Sequence, residues 1–419
     1  MITLFNVAIK SLLNRKTPFI LSIASIALSV TLFLAVNVIR DGTKQSFSNT
    51  VSQADLIIGA RGSGLQLLLY TIFHLGSATN NISWQSYESI KNMPNVEWTI
   101  PFSLGDSFHG FRVIATNENF YNHYHYLGDK KIELVSGSIP KNIYDTVIGS
   151  RVAEVEKLKV GDKVTLAHGI TEQSIFKHDD SPFIITGIIK ETNTPIDRAL
   201  YITLEGMEAI HIDWKDGIPS HQKNTKEAIK KEDIQVTQIT SMLLRADNRI
   251  NTLSLMRSIN DFKKEPLLAA IPGSILSQFW ETISYAESAF QIILIFVILI
   301  GILGMMISIY TSLESRRREI AILRSIGTSY IAIVALLVME SFIICFFGCI
   351  LGIFISYISL YFLKPFILNK FGILISQNGL QNFDYIYILI IISFACLIGI
   401  IPALKAYRNS LTDGLSIKI

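Results

Sequence analysis

Eight histidines, three cysteines and one run of arginines are the side chains with chemistry to offer in this 419-residue chain. His74, His109, His123, His125, His168, His178, His211 and His221 all fall within residues 41–287. Two residues apart, His123 and His125 would share one face of a strand, and His178-Asp179-Asp180 sets carboxylates beside imidazole, the donor types that hold zinc and its neighbours. No His-x3-His or Cys-x2-Cys spacing accompanies them. Scattered surface histidines are the simpler reading, and no metal ligand is assigned. Gly59, Gly62 and Gly64 have the look of a phosphate loop, but no Gly-Lys-Ser/Thr follows, so nucleotide binding is set aside. Neither a Ser-His-Asp set nor a paired-carboxylate spacing is present, so no catalytic residue is assigned.

The arginine run is more informative. Residues 314–327 read ESRRREIAILRSIG. Wound as a helix, Ile320, Leu323, Ile326 and Gly327 share one side, and the charges take the other. Such a helix can lie at a membrane surface, its cationic part facing lipid headgroups or an acidic partner.

The elements that position these residues follow from hydropathy. Half of the chain is hydrophobic and 17% is charged. Four stretches, 18–39, 288–313, 341–363 and 385–404, carry no charge. Each reaches roughly 30 Å or more as a helix, enough to cross a bilayer core. A soluble enzyme is excluded. So is a pure membrane bundle, because 41–287 holds no such span. The first stretch is too long for a signal-peptide core and reads as a retained helix. Lys10, Arg15, Lys16, Arg316, Arg317, Arg318, Arg324, Lys405, Arg408 and Lys418 gather on one side of the spans. Positive charge stays in the cytoplasm, which puts both termini and the 314–340 loop inside and 41–287 outside. That outer segment carries 24 Lys and Arg against 29 Asp and Glu, a net charge of −5. Nucleic-acid binding has no support. Cys345, Cys349 and Cys396 all lie within spans, so the outer segment has no disulfide.

The expected architecture is a membrane protein with four transmembrane α-helices and a large α+β extracytoplasmic domain inserted between helices 1 and 2. The expected divisions are 1–40, an amphipathic segment and first span; 41–287, the outer domain, with about 120–221 inserted as a second subdomain; and 288–313, the second span. There follow 314–340, a cytoplasmic loop; 341–363, the third span; 364–384, a short outer loop; 385–404, the fourth span; and 405–419, a cytoplasmic tail. Strands are expected at 55–59, 111–116, 146–149, 163–167, 183–189, 199–203 and 241–245. Helices are expected at 84–92, capped by Ser83, and at 151–158, 204–211, 225–233 and 249–264. The apolar run 65–75 is too short to span. It is a buried core helix, or else an apolar surface on which Leu67, Leu68, Leu69 and Phe73 would touch an amphiphilic substrate. Gly348 and Gly352 form a G-x-x-x-G in the third span that lets a helix approach, within one subunit or across a dimer.

Four motifs resemble the permeases of the MacB/LolC/FtsX type, the mechanotransmission or type VII class of ABC transporters. They are Ala8-Ile-Lys-Ser-Leu-Leu-Asn-Arg before the first span; Arg316-Arg-Arg-Glu-Ile-Ala-Ile-Leu-Arg-Ser-Ile-Gly327 with Glu340 after it; the terminal Ile401-Pro-Ala-Leu-Lys-Ala-Tyr-Arg408; and Val147-Ile-Gly-Ser-Arg-Val-Ala153, Lys159-Val-Gly-Asp-Lys-Val164 and Phe183-Ile-Ile-Thr-Gly187 in the outer domain. The resemblance implies a permease that binds no cofactor itself, with ATP and Mg used by a separate partner. Its implied partners are two cytoplasmic ABC ATPase subunits, a second permease subunit, an accessory protein on the outer side and membrane lipids. Arg316, Arg317, Arg318, Glu319, Ile320, Leu323, Arg324 and Gly327 would form the helix that couples to the ATPase. The implied location is a bacterial inner membrane. Export or extraction of a lipoprotein, peptide or hydrophobic compound is the expected activity. An FtsX-like regulator that activates an envelope enzyme is the alternative.

Overall fold

The computed structural model describes residues 2–50, 53–127, 129–168, 181–212, 214, 215, 218, 219, 234–325, 327–371 and 382–412. Its helices, in chain order, are α1 (Ile2–Leu13), α2 (Lys16–Thr50), α3 (Gly64–Thr71), α4 (Trp84–Lys91), α5 (Glu118–His123), α6 (Ser150–Glu156), α7 (Leu204–His211), α8 (Arg249–Asn260), α9 (Pro272–Ser325), α10 (Tyr330–Phe371) and α11 (Asn382–Thr412). The chain divides into two compact units. One comprises Met1–Thr43, Ser284–Lys370 and Ile375–Ile419, and the other Lys44–Ile283 and Phe371–Leu374.

The second unit is built on one mixed sheet. Its strands are β1 (Leu56–Ala60), β2 (Val96–Phe108), β3 (Phe111–Thr116), β4 (Leu134–Gly137), β5 (Asp145–Ile148), β6 (Lys163–Val164), β7 (Ala167–His168), β8 (Phe183–Ile189), β9 (Ala199–Thr203), β10 (Ser241–Ala246) and β11 (Leu267–Ala270). They run β11-β1-β10-β2-β3-β9-β5-β8-β4, with β7 on β2 and β6 on β8. β9 pairs in parallel with β3, and β8 with β5. Strand residues alternate between two faces. Leu56, Ile58, Val113, Ala115, Leu200, Ile202, Met242 and Leu244 enter one core. Ile57, Ile114, Tyr201 and Leu243, between them, enter another. Helices cover both faces. α4, α6, α7 and α8 bury Tyr87, Ile90, Val152, Met207, Ile210, Leu255 and Ile259 on the first. α3 and α5 bury Leu67, Leu68, Tyr70 and Phe120 on the second. Each fully buried Ile or Leu contributes roughly 1.5–3 kcal/mol. Burial on both faces is why β3 and β9 read as continuous apolar runs.

Ser83 caps α4 as expected, its hydroxyl accepting from the Ser86 N–H at 3.3 Å. The longest strand, β2, was not expected. Pro101 and Gly105 interrupt its apolar pattern, and both normally argue against a strand interior. Pro101 nevertheless sits opposite Met242, and its carbonyl accepts from the Thr116 hydroxyl at 2.9 Å. The segment expected as an inserted subdomain, about 120–221, supplies β9, β5, β8, β4 and β6 at one end of the same sheet and β7 on β2. The expected helix at 225–233 lies outside the described residues.

Among the described residues, four helices are long and apolar enough to cross a membrane, over Lys16–Ser48, Pro272–Ser312, Ile331–Ile367 and Tyr385–Leu404. α2 is the hub. A Cβ on Gly348 would come within 2.8 Å of Ile26, and one on Gly352 within 2.8 Å of the Ala27 carbonyl, so α10 rests directly on α2. On its α9 side, Ser29 Oγ donates to the Val297 carbonyl at 3.1 Å, and a Cβ on Gly301 would lie 2.7 Å from that same hydroxyl. Phe33 meets Tyr387 of α11 edge-on at 5.1 Å. Without a hydrophobic drive between helices in lipid, such close backbone contacts and hydroxyl bonds hold a bundle together.

Candidate functional site

α9 is one unbroken helix of 54 residues, about 80 Å long. It contains the second span and continues through Arg316, Arg317, Arg318, Glu319, Ile320, Leu323 and Arg324 to Ser325. Residues 314–325, expected within the 314–340 loop, thus continue the helix of the second span. From Met305 to Ile326 there is no glycine or proline, and the Glu, Arg, Ala and Leu of the segment favour helix, so nothing stops the helix there. Gly327, at φ +94, takes the left-handed conformation beyond the end of α9, and α10 starts at Tyr330. That conformation turns the chain between α9 and α10. Glu340 is 2% exposed and faces the interior of the bundle.

The first two turns of α9 carry Ile275, Leu276, Phe279 and Trp280, which pack on the second core of the sheet unit. Phe47, near the end of α2, joins them. Its ring lies 5.6 Å from Trp280, 6.3 Å from Phe279 and 4.5 Å from Phe73. These ends of α2 and α9 belong to the sheet unit and share one aromatic cluster there. Sequence reasoning missed Phe47, Phe279 and Trp280. The helical spacing of 275, 276, 279 and 280 ahead of the charge-free span was the available signal.

That cluster decides the fate of the expected substrate surface. Leu67, Leu68 and Phe73 are buried, and Leu69 packs partly buried against the same core. Gly59 lies under α3, where an added Cβ would come within 2.5 Å of the Leu67 side chain. The four residues pack in or against the second core, the arrangement of the buried-core alternative. The glycine pair Gly348 and Gly352 likewise packs within this chain, against α2.

The histidines separate. His178 and His221 lie outside the described residues. His123 ends α5 and stacks on Trp98 at 5.5 Å, and His125 follows in a different element, so the two do not share a strand face. His109 bonds Glu156 at 2.7 Å on the surface. His74 is half-buried, and desolvation together with the Arg112 charge lowers its pKa to about 3. His168 and His211 come together at Asp106. Among the described residues, no arrangement of nucleophile, base and orienting group accompanies them.

Two sequence families match the chain. The MacB-like periplasmic core domain matches residues 19–260, and the FtsX-like permease C-terminal domain matches residues 291–411. The chain belongs to the MacB/FtsX family of ABC permeases. In this family member β1 to β10 of the sheet unit fall within the core-domain match, and most of α9, with α10 and nearly all of α11, falls within the permease match. Among solved structures it is similar to the extracellular domain of the noncanonic ABC-type transporter YknZ from Gram-positive bacteria, at 11% identity and TM-score 0.31, covering 51% of this chain and 98% of that one. It is similar also to the periplasmic region of MacB from Actinobacillus actinomycetemcomitans, at 10% identity and TM-score 0.33, covering 54% and 91%. No curated protein matches the chain.

Proposed function

We propose that this permease is the non-catalytic membrane subunit of a transporter powered by a separate cytoplasmic ABC ATPase, working as a lever rather than as a channel. The observation that carries the reading is α9. One helix joins the aromatic cluster around Phe279 and Trp280 to the basic segment 316–324 without a break. A continuous helix of this kind is suited to pass displacement at one end to the other. The buried residues of the bundle are mostly apolar, which suits support of movement better than passage of a polar substrate. On this reading the permease sits in a bacterial inner membrane with both termini and the 316–324 segment in the cytoplasm. Two copies, or this chain and a second permease, pair above two ATPase subunits. Opening and closing of the outer domains moves a lipoprotein, peptide or hydrophobic compound on the outer side. The test is purification in mild detergent with and without the ATPase. The permease alone should hydrolyse no ATP, and the assembled complex should contain two permease and two ATPase subunits. ATP hydrolysis by the permease alone, or a complex with a single permease, would refute the proposal.

A further inference from the structure

We propose that Asp106, His168 and His211 form a binding site for one divalent transition-metal ion of the zinc class. The three come from separate elements of the sheet unit. Asp106 lies on β2, His168 stands directly across from it on β7, and His211 is the last residue of α7. Their donor atoms converge. Asp106 Oδ1 lies 3.2 Å from His168 Nδ1 and 3.6 Å from His211 Nε2, and the two ring nitrogens are 3.4 Å apart. A tetrahedral ion with ligand bonds of about 2.0–2.1 Å needs donors about 3.3–3.4 Å apart, so the three atoms already form one face of the required tetrahedron. The fourth position is left for a further ligand.

A second observation is independent of that spacing. His211 Nδ1 is 2.8 Å from the Met207 carbonyl. A carbonyl only accepts, so Nδ1 carries a proton, and in the neutral ring that binds a metal the lone pair of Nε2 faces Asp106 and His168. Histidines that bind metal are held in this way, the second ring nitrogen donating to a backbone carbonyl to fix tautomer and orientation. Asp106 is fully buried, whereas the His168 and His211 side chains are 39% and 27% exposed, so a fixed carboxylate meets imidazoles that an ion can reach. Two imidazoles with one carboxylate favour Zn, Co, Ni or Cu over Ca or Mg. Bound there, the ion would tie the two-residue strand β7 to β2 and to the end of α7. The residues stand 62 and 43 positions apart, which is why spacing along the chain gave no sign of the site.

The test is titration of the tag-free full-length protein in detergent with Co2+, followed by the visible absorption of a four-coordinate ion and by bound metal per chain. One Co2+ per chain is expected, displaced by Zn2+. Uptake should be lost in His168→Ala and in His211→Ala and retained in His109→Ala, which removes an exposed histidine–carboxylate pair elsewhere. If His211→Ala fails to fold, His168→Ala, at the more exposed position, decides alone. No uptake by the parent protein, or uptake unchanged in His168→Ala, would overturn the proposal.

Discussion

The sheet unit and the membrane bundle are stabilised in opposite ways. In the sheet unit, bulk is what holds. Tyr201, Phe120 and Phe102 fill the second core, with Phe120 stacked on Tyr201 at 4.7 Å. In the bundle, smallness holds. Gly301, Gly348 and Gly352 bring helices against α2, and hydroxyls bridge where a larger side chain would separate them. Water makes the difference: it rewards burial of large apolar groups in the outer unit, and lipid offers no such reward between helices. The outer unit should therefore fail when a side chain is made smaller, and the bundle when one is made larger.

The chain carries its own probes for the two regions. All four tryptophans (Trp84, Trp98, Trp214 and Trp280) lie in the outer segment, and all three cysteines lie in the spans. Tryptophan fluorescence therefore reports one region and thiol labelling the other. The largest effect is expected for Phe120→Ala, about 3–5 kcal/mol. It should lower the tryptophan-detected melt and leave protection of Cys345 and Cys349 unchanged. A loss below about 1 kcal/mol would break the comparison from the outer side.

Gly348→Leu is expected next, at about 1–3 kcal/mol from overpacking. It should open Cys345 and Cys349 to a thiol reagent while the tryptophan transition stays in place. Equal disturbance of both probes would mean that the two regions are not separately stabilised.

The smallest effect is a dependence on pH confined to the outer unit. His74 has a folded pKa depressed to about 3 against an ordinary value near 6.5, chiefly through burial. Its contribution is therefore complete above about pH 6.5 and is lost as pH falls from there toward 3. Between pH 6.5 and 5.5 the loss is about 1 kcal/mol. The tryptophan-detected transition should weaken from pH 6.5 to 5.5, and His74→Asn, which tolerates the left-handed backbone at φ 56, should flatten that slope. An unchanged slope in the variant would assign the acid sensitivity to other groups.

The two regions also differed in how far their sequence could be read. Hydropathy placed the four spans because a bilayer imposes one length and one polarity on every segment that crosses it. In the outer unit the short apolar strands β3 and β9, buried on both faces, and β8, buried on alternate residues, were legible. β2 was not, because Pro101 and Gly105 hide the longest strand from any local pattern. The basic segment 316–324 was visible as a charge pattern, but its continuity with the second span depends on the absence of any breaker before Gly327. The cluster of Asp106, His168 and His211 and the aromatic cluster of Phe47, Phe73 and Trp280 exist only after folding. Their members are far apart in the chain, and no spacing rule reaches across such distances.

The central claim is that α9 carries force from an ATPase to the outer unit, and charge reversal at its basic end tests that claim most directly. Glu319 and Arg324 are five positions apart, outside the i,i+4 pairing distance, so they are not expected to satisfy one another within the helix. A reversed charge at a surface position usually costs less than about 0.5 kcal/mol of folding stability. A like-charge contact at an interface costs several kcal/mol. The measurement is ATPase stimulation and complex yield for Glu319→Lys and Arg324→Glu beside the parent. The account predicts that both variants insert and fold normally and that at least one loses assembly or stimulation by ten-fold or more. If both assemble and stimulate like the parent, the basic end of α9 only sets topology, and its assignment as the coupling element is wrong.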